Sequence, residues 1–145
     1  MIRTEQEFNR ALEQLERERE ALEQQRNRLS EMGIEGKDLE RAMQPAISFH
    51  DQLREEVETY ERIKRGEFEP LFNLTHIGRW LIGARIALGM TQRELAERLE
   101  VSESVVSRDE RNDYHGVSVE RAQRILEALG IRVRMEVEEP VVSAA

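Results

Sequence analysis

The 145-residue chain contains no cysteine, which excludes a disulfide framework, a thiolate zinc site and a cysteine nucleophile at once. That lack agrees with a reducing cytoplasm. Aromatic residues are scarce at 5% against 36% charged residues, a ratio too polar for one large globular core. No apolar run approaches the roughly 18 residues that a membrane span needs, and Met1-Ile2-Arg3-Thr4 leads directly into a charged pattern with no secretory leader. A soluble, cytoplasmic protein without a membrane partner is expected. The three histidines, His50, His76 and His115, lie far apart and in no metal-binding spacing. No glycine-rich phosphate cradle is present. The carboxylates follow solvated helix faces, so no catalytic pair stands out. Neither an enzyme, a cofactor nor a metal is expected.

Glu, Arg, Leu and Gln are plentiful instead and suggest long exposed helices. Thr4 with Glu7 forms a capping-box pattern that opens a helix to about Met32, ended by Gly33. Phe8, Leu15, Leu22 and Leu29 recur at intervals of seven. Leu12 joins that seam, while Arg19 and Arg26 keep it narrow, as in a two-stranded coiled coil. A second helical pattern runs from near Asp38 to Arg65, in which Pro45 either kinks the helix or, the favoured reading, starts its main part at a first helical position. Its stripe is Ala46, Phe49, Leu53, Val57, Tyr60 and Ile63. Two helices around a short break favour an antiparallel hairpin over residues 1–66, serving oligomerisation or a partner. The plainer alternative is a solvated arm that only keeps the chain soluble.

Residues 67–74 read as a linker whose Phe68, Leu71 and Phe72 pack on the head or pair as a short strand. Residues 75–130 read as that helical head. Thr75 caps a helix through Trp80, Leu81, Ala84, Ala87 and Leu88, and Trp80 is expected in its core. Thr91 and Glu94 form a capping box for a helix carrying Leu95, Ala96 and Leu99 inward. Ser102 offers the next N-cap, with Val105 and Val106 inward. Two short helices about a tight turn, with the small Ala96 where they cross, form a helix-turn-helix pattern. Ser118 caps a last helix through Ala122, Ile125, Leu126 and Leu129, ended by Gly130. Over 131–139, Ile131, Val133, Met135 and Val137 alternate with Arg132, Arg134, Glu136 and Glu138, the pattern of a half-buried strand. Such a strand needs a partner, either the linker or a second copy of itself; the pattern alone does not choose. Residues 140–145 form a frayed tail. The fold class is mainly α: a helical hairpin, a helix-turn-helix bundle and a short C-terminal β-strand.

The net charge of −8 is unevenly spread. Residues 1–74 hold 12 Lys/Arg against 18 Asp/Glu, whereas residues 75–133 hold nine of each. A neutral head binds nucleic acid through arginines gathered on one face, with modest and salt-sensitive affinity.

The segments GMTQRELAERL and VSESVVSRDERN, followed by VERAQRILEALGI, give residues 76–131 a strong resemblance to the phage-repressor and Cro-type helix-turn-helix family, also called the xenobiotic-response-element family. The whole chain is more loosely similar to HigA-type antitoxins that carry an N-terminal helical extension. The family resemblance implies that Gln92 contacts a phosphate and that Ser102, Glu103, Ser104, Ser107 and Arg108 face the major groove. Arg111 and Asn112 then touch the DNA backbone, and Arg93 belongs to the same DNA-binding set. Side-chain chemistry supports part of this, since Arg108 suits guanine and Glu103 suits cytosine N4. Two positions depart from the family: Glu100 stands where the turn has glycine, and Asp109 where the helix has an apolar residue. Asp109 is therefore expected to be partly buried against an arginine such as Arg93, or else the helix to be rotated slightly.

The functional expectation is a dimeric, sequence-specific DNA-binding repressor on a palindromic operator. Its sharper form is a type II antitoxin that also masks a toxin protein. The competing expectation is a protein-interaction module that keeps the fold without specific DNA binding.

Overall fold

Thr4 turns the chain from extended to helical, its hydroxyl accepting the Glu7 N–H at 3.1 Å. The computed structural model describes residues 1–67 and 69–139. The Thr4 cap is half of the expected box, because the Glu7 carboxylate takes the Arg3 N–H at 2.8 Å instead. Helix α1 spans Glu5–Glu31 and α2 spans Gly36–Lys64. They lie antiparallel: Phe8 stacks on Tyr60 with ring centroids 4.9 Å apart, and Glu18 meets His50 at 3.1 Å.

The hairpin differs in detail from its sequence pattern. Pro45 does not start α2 but sits inside it. Its missing N–H and ring cost about 3 kcal/mol, offset by apolar contacts on both sides, where Met43 is fully buried and Ala46 and Ile47 are half-buried. Phe49 points to solvent at 64% exposure, while His50 turns inward to Glu18. On α1 the buried residue is Ala11, and Leu12 lies largely outside.

The base of the hairpin is continuous with the head. Helix α3 spans Ile77–Ala87, α4 Gln92–Leu99, α5 Glu103–Arg111 and α6 Val119–Leu129. Ile2, Val57 and Tyr60 belong to the same apolar cluster as Leu81, Ile82, Leu95, Val106 and Ile125. Burying these side chains contributes roughly 25 cal/mol per Å², so the arm is anchored by packing and not merely tethered. The Met1 ammonium also pairs with Glu56 at 3.3 Å. Trp80 is half-buried against this cluster, as expected.

Between arm and head, Asn73 rather than Thr75 acts as the cap. Its side chain accepts the Thr75 N–H at 2.9 Å and starts a single 3-10 turn, Leu74–His76, ahead of α3. Leu71 is half-buried, Phe72 is exposed, and Phe68 lies outside the described residues. No strand occurs among the described residues, so the strand expected over 131–139 is not formed in the single chain. A β-strand requires a neighbouring backbone, and the linker does not supply one. The tail at 140–145 also falls outside the described residues.

The tightest junction lies between α3 and the loop after α5. Asp113 and Tyr114 both have φ of 51°, a left-handed conformation that is unfavourable for residues with a Cβ. Gly78 permits that loop to close, because a Cβ at 78 would lie 1.8 Å from the Asp113 carbonyl oxygen. The obstruction is backbone and cannot rotate away. Gly78→Ala is therefore expected to lower stability by about 2 kcal/mol in urea unfolding, despite alanine's better helix propensity.

Candidate nucleic-acid interface

The first motif helix starts as expected. Thr91 accepts the Glu94 N–H at 3.1 Å, and the Glu94 carboxylate accepts the Thr91 N–H at 2.7 Å. The bond from the Thr91 N–H, with a further contribution from the Thr91 side chain, holds the Glu94 carboxyl below its ordinary pKa. Helix α4 ends at Glu100, which has φ 57° and ψ 39° and so occupies the left-handed turn position. The Val101 N–H then bonds the Ala96 carbonyl at 3.0 Å and redirects the chain into α5. Ser102 has the extended N-cap backbone, but its hydroxyl lies 2.9 Å from that of Ser104 and makes no cap bond.

The orientation of α5 is fixed from behind. Glu110 is completely buried and receives Arg85 Nε at 2.5 Å and Arg85 Nη2 at 2.8 Å. Gln92 Nε2 also donates to Glu110 at 2.7 Å. The same Arg85 guanidinium donates to the Met90 carbonyl and to the Arg3 carbonyl, each at 2.8 Å. One buried cation thus joins α3, the α3–α4 turn, α5 and the N-terminal segment.

With Val106 and Glu110 inward, α5 turns Ser102, Glu103, Ser104 and Arg108 to solvent, and Ser107 is half-exposed. Arg111 and Asn112 are exposed at its far end, where Arg111 approaches the Ser107 hydroxyl at 3.5 Å. The expected groove-facing residues therefore share one outward face. One of the expected contacts is placed differently. Gln92 is buried with its carboxamide bound to Glu110, so its side chain first positions α4 against α5. Arg93 is exposed and pairs with Glu97 at 3.2 Å on α4. Asp109 is partly buried against an arginine, but that arginine is Arg121 of α6 and not Arg93.

Beyond α5, Asp113 is gripped by Arg3 at 3.2 Å and by Arg79 at 3.3 Å. Partial burial works to raise its pKa, but hydrogen bonds from the two arginines prevail and hold it low. Tyr114 is buried beside it, and desolvation pushes its phenol up. Among the described residues no group of three His, Cys, Asp or Glu is arranged to hold a metal ion, and no helix is long and apolar enough to cross a membrane.

Two helices at a left-handed turn, the second buried on one face and polar on the other, define the site. Residues 81–134 match a helix-turn-helix family model. The match supports the phage-repressor and Cro-type family for this segment, and with it a DNA-binding transcription regulator. Comparison with curated proteins and comparison with solved structures return no match.

Reading the sequence by apolar spacing misses Arg85, Glu110, Arg3 and Arg121. A signal for the first two exists. Arg85 stands four residues after Leu81 on an apolar stripe, and Glu110 four residues after Val106 on another. Opposite charges on two stripes that must face each other predict a buried pair.

Two substitutions here should act in opposite directions. Glu110→Ala leaves the Arg85 cation buried and uncompensated, and is expected to cost about 3–5 kcal/mol in chemical denaturation. Glu100→Gly relieves the left-handed side chain and is expected to raise stability by roughly 0.5–1 kcal/mol, the glycine's extra unfolded-state entropy taking back part of the gain. Calorimetry of both variants beside the wild type checks the opposite signs.

Proposed function

We propose that this chain is a sequence-specific DNA-binding repressor, not an enzyme, and that it reads a palindromic operator as a homodimer. The observation that carries the reading is the outward face of α5, where Ser104, Ser107 and Arg108 stand free of the core while Arg85 and Glu110 fix the helix from behind. A helix presented this way fits the major groove, Arg108 meeting guanine O6 and N7 and Glu103 accepting from cytosine N4. Arg111 and Asn112 lie where the helix leaves the groove and suit phosphate contacts. The first turn of α4, with Gln92 and Arg93, suits a second phosphate through its backbone amides and the Arg93 side chain. A neutral head attracts DNA weakly, so doubling the contacts by dimerisation supports specificity.

The finer reading is an antitoxin whose hairpin α1–α2 masks a toxin. Its support is the outward placement of Phe49 and Leu12, at 64% and 42% exposure, on an arm whose base is locked to the head. A partner covering those side chains fits a protein-binding role for the arm, which is also what the interaction-module reading requires.

Selection of operator sequences from a random pool, followed by fluorescence anisotropy, tests the main reading. Arg108→Ala is expected to weaken binding to the selected operator by about tenfold to a hundredfold, as for loss of one bidentate base contact. Its melting temperature should stay near the wild-type value because the side chain is exposed. A pool that yields no preferred sequence in moderate salt overturns the DNA-reading function in favour of the interaction module.

A further inference from the structure

Ile131 is the last residue beyond α6 that packs on the core, and its N–H bonds the Leu126 carbonyl at 2.9 Å. Residues 132–139 are all exposed, and Val133, Met135 and Val137 are uncovered by 49%, 81% and 84%. In an extended chain these three share one side with Ile131, whereas Arg132, Arg134, Glu136 and Glu138 share the other. The apolar side is thus a continuation of the head's own core, left without a cover.

The order of charges says what covers it. Read outward from Met135, each arginine on the N-terminal side has a glutamate at the same distance on the C-terminal side. Arg134 mirrors Glu136, Arg132 mirrors Glu138, and Val133 mirrors Val137. Two copies laid antiparallel about a two-fold axis at Met135 place every arginine opposite a glutamate, valine opposite valine and Met135 opposite itself. Shifting the centre to Arg134 or Glu136 sets like charges face to face, and a one-residue slip sets apolar residues against charged ones. Parallel pairing stacks arginine on arginine. This register alone opposes every charge within 132–138 and keeps valine and methionine together; Ile131, opposite Glu139 at the ribbon's end, is already seated on its own head.

We propose that residues 131–138 are a homodimerisation strand, paired antiparallel with the same segment of a second copy and centred on Met135. The inference rests on the dimeric reading of the function and names its interface. It also accounts for a strand-like sequence that forms no strand in one chain. Within one chain Arg134 and Glu136 pair with each other while largely exposed, an arrangement that contributes little. In the dimer each exchanges that partner for the same group on the other copy. A lone two-stranded ribbon is marginal in water, and Ile131 on each side seats this one against two heads.

The cysteine-free chain allows a direct test in the full-length protein. Under mild oxidation Met135→Cys is expected to give a disulfide-linked dimer, since directly opposed residues bring their Cα atoms to roughly 4.5–5.5 Å. Val133→Cys is expected to remain uncrosslinked, its two copies lying about 13 Å apart along the ribbon, but to crosslink when mixed with Val137→Cys. A Met135→Cys chain that crosslinks no faster than Val133→Cys overturns the register. In sedimentation, Arg132→Glu/Arg134→Glu and Glu136→Arg/Glu138→Arg are each expected to be monomeric alone and to form a heterodimer when mixed. A mixture that stays monomeric, or single variants that dimerise like the wild type, overturns the interface. A Met135-centred dimer that selects no DNA sequence leaves this inference standing and removes the proposed function; an operator-binding dimer without the crosslink does the reverse.

Discussion

The buried ion pair between Arg85 and Glu110 is the constraint on which the head depends. Removing both charges from water costs several kcal/mol per ion, and only a fully hydrogen-bonded arrangement offsets it. Arg85 meets that condition with four hydrogen bonds to three separate stretches of chain, and Glu110 with donors from α3 and α4. The pair therefore permits one relative placement of these elements. An apolar contact tolerates sliding, whereas a bidentate guanidinium–carboxylate fork fixes direction as well as distance. The outward face of α5 inherits its aim from this fork.

The same guanidinium draws the N terminus of the chain into the head through the Arg3 carbonyl. Ile2 adds its side chain to the core on one side of that bond, and the Arg3 side chain grips Asp113 on the other. Asp113 and Tyr114 carry two consecutive left-handed residues, a local cost of order 1–2 kcal/mol each. They are held by the arginines on Asp113, by burial of Tyr114 and by the close approach at Gly78. The base of the arm and the head thus share one apolar cluster across the segment that the sequence pattern reads as a linker.

What could be read in the sequence divides along physical lines. The caps at Thr91 and Ser118, the left-handed turn at Glu100 and the outward face of α5 depend on neighbours within a few residues, and each appears where local spacing puts it. Some misreadings are local, such as Asn73 capping in place of Thr75, but the larger ones concern partners far along the chain. Gln92 looks free until Glu110 stands opposite it, and Asp109 finds Arg121 instead of Arg93 because the first turn of α6 brings Arg121 to it. Pro45 looks like a helix start because its local cost is large, yet packing against α1 outweighs that cost. The alternation over 131–138 carries a strand's pattern without a strand's neighbour among the described residues.

The acidic arm need not oppose DNA binding by the neutral head. Residues 1–74 carry the larger part of the negative charge, but α1 alone spans 27 residues, about 40 Å at 1.5 Å per residue. Its base sits on the head while its tip, at the break around Gly33, lies far beyond the screening length of about 8 Å at physiological ionic strength. Charges near the tip therefore contribute little to the potential at α5. The charges close to the head are largely paired, as in Met1 with Glu56, Lys64 with Glu5 and Arg3 with Asp113. The field that DNA meets is then set by the head, where Arg108 and Arg111 face outward while Glu110 is neutralised in the core by Arg85 and Asp109 is paired with Arg121. The outward face of α5 itself then carries Arg108 and Arg111 against Glu103, so the formally neutral head presents a small excess of positive charge where the helix is exposed.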